Sequence, residues 1–518
     1  MNAPSPSAVP GLRRNMVTIC AMTATIMQAL DTTIANVALP YMQGSLSASQ
    51  DQINWVLTSY IVAAAIMTAP VGWIANRFGR KRIFIICSAG FTFASVLCGL
   101  AQDINQMVLF RLLQGVFGAA LVPLSQAVML DSYALHERAK AMSIWGMGVM
   151  MGPIMGPSLG AWLTETYSWH WVFFVNLPFG AITVLGLAVF MDETKQNLDL
   201  KFDWFGFSAL AVAIGSVQLA LDRGEQLGWL ESNEIVIEFI VAAIGFYFFL
   251  AHSLTTDRPF IQFALFKDKN FLGGCVFMTV MGLVLYSTMA LSSPYLQNVI
   301  GYPIITAGLL LASRGFGTFV AMMLVGRLMR YIEARTLIVS GLSLTAASLF
   351  RMTGWTDMTQ SNEIIVVSVI QGFGFGLVFV PLSTVSFMTL PGQLRTDGTS
   401  MLTLLRNVAS SAGISIVIAQ LTEGGRRIYA KLSEQINPFN HALQMPDVAG
   451  MMNLNTDAGR AMADKMVAAQ SQIIAFSHDY MLVMIFILVS IPLAIMIGST
   501  KAALRQQTAA PDHAAVME

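Results

Sequence analysis

Charged side chains are scarce in this sequence of 518 residues. Lysine, arginine, aspartate and glutamate together make up 11% of it, and hydrophobic residues make up 55%. An ordinary soluble chain is about 25% charged, so this composition excludes a soluble enzyme and indicates a polytopic membrane protein. The formal net charge is zero, so no basic surface is available to neutralise the phosphates of a nucleic acid.

Cysteine is also rare, and several catalytic motifs are absent. The four cysteines lie in apolar runs and are not spaced as a zinc site or as paired loop thiols, so we predict neither a metal site nor a disulfide. There is no Gly-Lys-Ser/Thr phosphate loop, which argues against ATP-driven transport. There is no His-Glu-x-x-His or Gly-x-Ser-x-Gly either, so a membrane hydrolase has no visible nucleophile. We predict a chain that is not an enzyme and that needs no cofactor.

Long apolar runs fill most of the chain. A membrane-spanning helix needs about 20 mostly apolar residues, and windows of that length predict fourteen spans. The first follows Arg13 and Arg14 but is too long for a signal peptide and has no cleavage site. The predicted spans are 16–40, 54–76, 82–102, 106–130, 140–163, 169–191, 204–222, 234–254, 271–297, 303–327, 335–355, 363–388, 399–421 and 479–500.

The basic residues are distributed unevenly between the two sides of the predicted bundle. Nineteen of the 29 fall on the side of the N-terminus and six on the other side, five of these in one long loop. Cytoplasmic loops of membrane proteins carry the excess of lysine and arginine. We therefore expect both termini to be cytoplasmic.

The chain repeats itself at a nearly constant offset. Gln114-Gly115 recurs as Gln371-Gly372, the pair Arg138 and Ser143 recurs as Arg395 and Ser400, and Gly72 recurs as Gly326. These matches fall on equivalent helices and skip the seventh and eighth. The fold class that they predict is all-α and membrane-integral, with two parallel six-helix bundles and two inserted helices, which is the arrangement of major facilitator transporters. The predicted boundaries are a cytoplasmic N-terminus 1–15, a first bundle 16–191, an insert 192–270, a second bundle 271–500 with an outward loop 422–478, and a cytoplasmic tail 501–518.

Two opposite charges are predicted at the same depth in the membrane. Asp31 lies nine residues before Pro40, and Arg111 lies eight residues after Asp103 on an antiparallel helix, which places them roughly 13 Å and 12 Å deep. An ionisable group in a span is expensive and indicates function. A proton that neutralises Asp31 would free Arg111 and bias the packing of the bundle. The alternative is a fixed ion pair that only holds helices together.

Two further arginines, Arg314 and Arg406, lie in the tenth and thirteenth predicted helices without an obvious carboxylate partner. Backbone carbonyls, water or lipid could satisfy them. The alternative is an electropositive cavity that accepts lipophilic weak acids.

The fifth helix has glycines at a strict four-residue spacing, with prolines between them. Glycines at this spacing leave one face open to the close approach of another helix, and each proline removes a helix hydrogen bond and permits a bend. We interpret this face as a gate, and simple packing is the alternative. The residues are Gly148, Gly152, Pro153, Gly156, Pro157 and Gly160.

The segment 72–82 links the second and third helices and is rich in basic residues. A solvated cytoplasmic loop accounts for the charges, but Gly79 also indicates a tight turn from which the arginines could bind helix ends or carboxylates in one conformation only. The residues that we single out are Gly72, Asn76, Arg77, Gly79 and Arg80.

Together these motifs resemble the fourteen-helix drug:proton antiporters of the major facilitator superfamily, the EmrB/QacA group. The segment 30–40 resembles the first-helix motif of that group through Asp31, Thr32, Asn36 and Pro40, and 72–82 resembles the cytoplasmic loop motif. Arg111 with Gln114-Gly115 resembles the fourth-helix motif, and 152–160 the antiporter motif. Asn76 departs from the acidic residue typical of the loop motif.

The resemblance implies export of small lipophilic drugs or toxic compounds across the inner membrane, coupled to proton entry at Asp31 and Arg111. It also implies that the loop 422–478 docks an EmrA-like periplasmic adaptor that works with an outer-membrane channel, whereas a solvated cap without a partner is the alternative. Two other functions remain open: a dedicated exporter of one metabolite or siderophore, and a membrane sensor or scaffold without transport. The only other partners that we expect are membrane lipids.

Overall fold

The computed structural model describes residues 11–194, 196–256, 259–437, 440–441, 445 and 453–496. Within these ranges the regular structure is helical and contains no strand. Most of the predicted N-terminal segment 1–15, the end of the last predicted span and the whole tail 501–518 lie outside the described residues.

The first half contains nine helices. Three predicted spans each consist of two helices. In the second predicted span, 54–76, the two helices are bent by 55° at Ala69 and Pro70. Proline has no backbone N–H and restricts the residue before it, so a bend is expected there. The helices are α1 (Gly11–Ser45), α2 (Gln50–Thr68), α3 (Val71–Phe78), α4 (Arg80–Gly99), α5 (Ile104–Gly118), α6 (Leu121–Ser132), α7 (Arg138–Thr166), α8 (Trp171–Phe174) and α9 (Asn176–Phe190).

The inserted pair and the second half follow. The inserted helices are α10 (Trp204–Leu227) and α11 (Asn233–Thr255). The second half comprises α12 (Ala264–Lys267), α13 (Lys269–Pro294) with a π-helical turn Tyr295–Val299, α14 (Ile304–Leu328), α15 (Ala334–Met352), α16 (Ser361–Val385), α17 (Arg395–Ser433) and α18 (Asp457–Ser490). Short 3₁₀ turns lie at Leu135–Glu137, Trp229–Glu231, Gly392–Leu394 and Pro492–Met496.

Eleven helical segments of the described chain are long and apolar enough to cross a membrane, and the bent pair of α2 and α3 makes twelve. The other two predicted spans correspond to α7 and α15, which have 29 and 19 residues. Both are long enough to cross, but they are less apolar than the twelve. An arginine lies near each end of α15, and α7 contains many glycines.

The outward segment that we expect to form a loop is helical at both ends. Helix α17 continues to Ser433, and α18 begins at Asp457. Both ends of 422–478 are therefore helical, and they form a two-helix projection. Residues 458–477 are continuous in α18 with the last predicted span.

The two halves meet along α7 and α14, which pack against each other. Trp145 of α7 stacks on Phe379 of α16 with ring centroids 5.8 Å apart, so the boundary is apolar at this level. The inserted helix α10 packs on α11, on α2 of the first half and on α17 of the second. We call the end of the bundle where α1 begins the N-terminal face, and the other end the opposite face.

Candidate functional site

Asp31 and Arg111 are in direct contact in the core of the first half. The Nη1 atom of Arg111 lies 2.7 Å from Oδ2 of Asp31, and the side chains are 1% and 0% exposed. Helix α1 supplies the acid and α5 the base, so the matching depths correspond to one ion pair. Both charges are removed from solvent, which makes the pair depend on complete compensation.

Two amides complete the coordination of the carboxylate. Gln114 donates to Oδ1 of Asp31 over 2.8 Å, and Asn176 donates to the same oxygen over 3.0 Å. Gln114 also accepts a bond of 2.8 Å from Nη1 of Arg111, and Asn176 donates to Ser95 over 2.9 Å. Gln114 lies in a stretch that the sequence marks as a motif, but nothing in the spacing shows that α9 points Asn176 towards α1.

The guanidinium of Arg111 is held on its other sides as well. Its Nε donates to the backbone carbonyl of Val56 in α2 over 3.1 Å. The ring of Tyr60 lies 4.4 Å from the guanidinium carbon, and that of Phe173 lies 5.6 Å away. Arg111 therefore connects α5 to α1, α2 and α8. Loss of its ionic partner would change the contacts among these four helices.

The other first-helix motif residues make no hydrogen bond to the ion pair in the described part of the chain. Thr32 is half-buried and donates to the carbonyl of Ala29 over 2.9 Å, within its own helix. Asn36 and Pro40 are exposed.

The four glycines of α7 face α1, the helix that carries Asp31. A Cβ atom at Gly152 would lie 2.2 Å from the carbonyl oxygen of Ala29, and one at Gly156 would lie 2.0 Å from Oγ1 of Thr33. Positions 148 and 160 face the same helix. At this distance the hydroxyl of Thr33 donates to the carbonyl of Gly152 over 3.0 Å. The helices are thus in backbone contact next to the ion pair.

The two prolines of this motif do not interrupt α7, which is one helix from Arg138 to Thr166. Pro157 is half-buried, and the side chain of Pro153 lies outside the described residues. The opposite side of the helix faces the second half, since a Cβ at Gly315 would lie 1.9 Å from Ile154.

The loop motif contacts the second half at the N-terminal face. A Cβ atom at Gly72 would lie 1.9 Å from Oδ1 of Asp397 and 2.8 Å from its Cα. Nδ2 of Asn76 donates to Oδ2 of Asp397 over 3.3 Å. The acid absent from position 76 is therefore supplied by α17 across the boundary between the halves.

The arginines of this motif bind a carboxylate and backbone carbonyls. Arg80 pairs with Asp131 of α6 and donates to the carbonyl of Gly392 over 3.3 Å, while Arg395 pairs with the same Asp131 from the second half. Arg77 donates to the carbonyl of Leu200.

Gly79 has a φ of +93°, a conformation that glycine adopts without strain. A Cβ at this position would also lie 2.4 Å from the carboxylate of Glu193. That carboxylate accepts from the backbone N–H groups of Lys81 and Arg82, each over 3.1 Å, at the start of α4.

Arg314 and Arg406 have no carboxylate partner among the described residues. Arg314 is 6% exposed and donates through Nη2 to Ser292 over 3.1 Å. Buried Nε atoms of both arginines have no hydrogen-bond partner in the described part of the chain. The second half thus contains buried positive charge that is not neutralised in the way that Asp31 neutralises Arg111.

The four cysteines are free, and no cluster of three or more His, Cys, Asp or Glu side chains suited to a metal ion occurs in the described ranges. The chemistry that the arrangement offers is protonation of a buried carboxylate, with the release of an arginine as its consequence.

Two helical bundles around a buried ion pair are the arrangement of a class of secondary transporters, which are not enzymes. The family model "Major Facilitator Superfamily" matches residues 21–414, and the chain belongs to this family of multi-pass membrane proteins.

Relatives and solved structures agree with that assignment. The chain is 34% identical over 432 residues to "Multidrug export protein EmrB" of Escherichia coli (strain K12), covering 83% of this chain and 84% of that one. It is 32% identical to "Fatty acid resistance protein FarB" of Neisseria gonorrhoeae, covering 82% and 84%. The proton:xylose symporter XylE shares the fold, with a TM-score of 0.57, 12% identity and coverage of 94% and 97%.

Proposed function

We propose that this protein exports small lipophilic compounds across the inner membrane of a bacterium in exchange for protons. Asp31 is the proton-binding group, and Arg111 is the charge that its ionised form holds. Protonation of Asp31 removes the ionic partner of Arg111, and this change biases the two halves between two packings. The Asp31–Arg111 contact of 2.7 Å in a site without solvent carries this proposal.

The glycine face of α7 transmits a movement of α1, caused by protonation of Asp31, to the second half. Helix α1 carries Asp31 and is in backbone contact with α7 at Gly152, and α7 packs against α14 of the second half. A small rotation of α1 therefore displaces the helix that lies between the two halves. We assign the gate to this face.

The cargo that the second half favours is a lipophilic weak acid. Arg314 and Arg406 provide buried positive charge without a carboxylate, and an anion satisfies such groups better than a cation does. The name of the relative FarB refers to fatty acids, which are lipophilic weak acids. Membrane lipids surround the bundle, and protons are the coupling ion, so no cofactor is needed.

The decisive experiment measures proton movement in proteoliposomes. We choose two fluorescent probes of fixed charge, the anion 8-anilinonaphthalene-1-sulfonate and the cation ethidium, because neither carries a proton itself. The wild-type protein should move protons when the anion is added and should drive its accumulation along a pH gradient. Asp31→Asn and Arg111→Ala should abolish this coupling, whereas Asp457→Asn, which removes a fully exposed acid, should not.

Coupling that survives in both site variants would remove Asp31 and Arg111 from the mechanism. A preference for ethidium over the anion, unaffected by Arg314→Gln, would instead overturn the assignment of cargo charge. A protein that moves neither probe would favour the sensor or scaffold.

The projection formed by the ends of α17 and α18 is the surface that we assign to a periplasmic adaptor. With this assignment we also propose that both termini are cytoplasmic and that the projection lies outside. Tyr429, Met462 and Met466 are 36%, 44% and 42% exposed there, among several basic residues. Replacement of both methionines by serine should abolish co-purification with an EmrA-like adaptor while leaving proton coupling in proteoliposomes intact. Retained co-purification would contradict the assignment.

A further inference from the structure

Asp479 is a second fully buried carboxylate of this protein. It lies on α18, 0% of its surface is exposed, and neither of its oxygens has a hydrogen-bond partner among the described residues. Asp31 is equally buried but has an arginine and two amides. The sequence windows place Asp479 at the edge of the last span, whereas the helix begins 22 residues earlier, at Asp457.

An ionised carboxylate without a partner in an apolar interior is strongly disfavoured, and the group binds a proton instead. The contacts of Asp479 therefore fit the neutral acid in this conformation. A carboxyl group that served only structure would be expected to donate or accept a hydrogen bond.

The second half also contains a buried cation. Arg314 is buried, its Nε has no partner among the described residues, and it interacts electrostatically with Tyr480, the neighbour of Asp479. Tyr480 packs against Tyr295 and Trp355 with ring centroids 6.4 Å and 5.9 Å apart. Asp479 itself does not interact electrostatically with Arg314 in this conformation, in contrast to Asp31 with Arg111.

The other ionisable groups on α18 and the helices around it form no hydrogen bond or ion pair with Asp479 in the described part of the chain. His478 is exposed, Glu423 and Arg427 of α17 pair with each other, and Arg351 of α15 pairs with Glu363 of α16. His478, Glu423 and Arg427 line a surface cavity of about 270 Å³. Asp479 does not line this cavity, so its carboxyl group is closed to solvent on this side as well.

From this arrangement we propose that Asp479 is a second proton-binding site of the transporter. It holds a proton in the present conformation and releases it when a change in the packing of α18 brings water or a cation to its carboxyl group. The proposal rests on the proposed function, since it adds a second acid to the proton exchange assigned to Asp31.

Infrared spectroscopy of the purified full-length protein tests the protonation without any cargo. The wild type should show a carbonyl band of a buried carboxylic acid at neutral pH, and Asp479→Asn should lose it. Ser471→Ala, which alters a buried polar side chain two turns away on the same helix, should keep the band. If Asp479→Asn leaves the spectrum of carboxylic acids unchanged, the acid is ionised and the proposal is wrong.

Proton counting tests the role in coupling. Protons released per bound 8-anilinonaphthalene-1-sulfonate should fall about twofold in Asp479→Asn, because one of two exchanging acids is lost, and should recover in Asp479→Glu. A lost infrared band with an unchanged proton count would make Asp479 a structural acid and overturn the proposal. If the wild type moves no protons with either probe, the proposed function fails instead, while the infrared result still decides whether Asp479 is protonated.

Discussion

Gly72 of α3 and Asp397 of α17 meet across the boundary between the two halves with no room for a side chain at position 72. A Cβ atom there would lie 1.9 Å from the carboxylate and 2.8 Å from the backbone of Asp397. Since Asn76 also donates to Asp397, the two halves are joined at the N-terminal face in this conformation. The contact exists only while that face is closed.

Gly72→Ala should open the N-terminal face. The added methyl group overpacks the closed conformation, which costs about 1–3 kcal/mol, and each 1.4 kcal/mol changes the ratio of the two conformations about tenfold. Spin labels at His136→Cys and Arg330→Cys, on loops of the two halves in a cysteine-free background, should report longer distances. Gly44→Ala is the control, because no atom lies within 4 Å of its added Cβ. An unchanged distance distribution in Gly72→Ala would contradict the prediction.

Asn76→Asp should also open this face, and the exchange of both residues should close it again. Asn76→Asp brings a carboxylate to the place where an amide now donates to Asp397 over 3.3 Å, and like charges at that distance repel. The double variant Asn76→Asp with Asp397→Asn restores an amide beside a carboxylate with the roles reversed. The spin-label distances should be long in the single variant and short in the double. Failure of the double variant to recover would show that the hydrogen bond does not hold the face closed.

The sequence predicts the fold class and the central ion pair for identifiable reasons. Apolar runs fix where helices cross the membrane, and residue counts from the helix ends fix the depth of Asp31 and Arg111, so their contact is predictable. The contact of Asn176 with Asp31 is not predictable, because the two residues are 145 positions apart in the sequence and the rotation of α9 about its axis depends on tertiary packing.

The sequence does not predict the roles of Asp479 and Asp397, for two different physical reasons. Hydropathy windows end where polar residues begin, but α18 continues through them to Asp457, and Asp479 is therefore far inside a helix. The partnership of Asp397 with Asn76 depends on contact between the two halves, and each half alone carries no signal of it. The absence of an acid at position 76 indicates that a partner must come from elsewhere, but it does not indicate which residue.

The glycines of α7 should differ in their tolerance of alanine. At Gly152 the added carbon meets the backbone carbonyl of Ala29 at 2.2 Å, whereas at Gly148 it meets the end of the Met22 side chain at 3.1 Å. A backbone cannot yield without moving α1, but methionine adapts readily. We expect Gly152→Ala to cost about 1–3 kcal/mol and to impair transport, and Gly148→Ala to be nearly neutral. Thermal unfolding in detergent and accumulation of the anionic probe measure the two effects, and equal behaviour of both variants would refute close packing on α1 as the basis of the gate.

The inserted helix α10 should stabilise the contact between the two halves through specific hydrogen bonds. Gln218 of α10 donates to Ser411 of α17 over 2.6 Å, and Ser415 of α17 donates to the carbonyl of Leu221 over 2.5 Å, while Asp222 of the same helix accepts from Thr58 of α2.

A double-mutant cycle with Gln218→Leu and Ser411→Ala measures one of these bonds directly. Interhelical hydrogen bonds in membranes contribute about 0.6 kcal/mol on average, so the coupling energy from thermal unfolding in detergent should be of that size. The control pair, Gln218→Leu with Ser490→Ala, joins side chains on helices that have no bond with each other and should be additive. A coupling energy indistinguishable from zero in the first cycle would mean that α10 rests against α17 without binding it, and the insert would then have no part in holding the halves together.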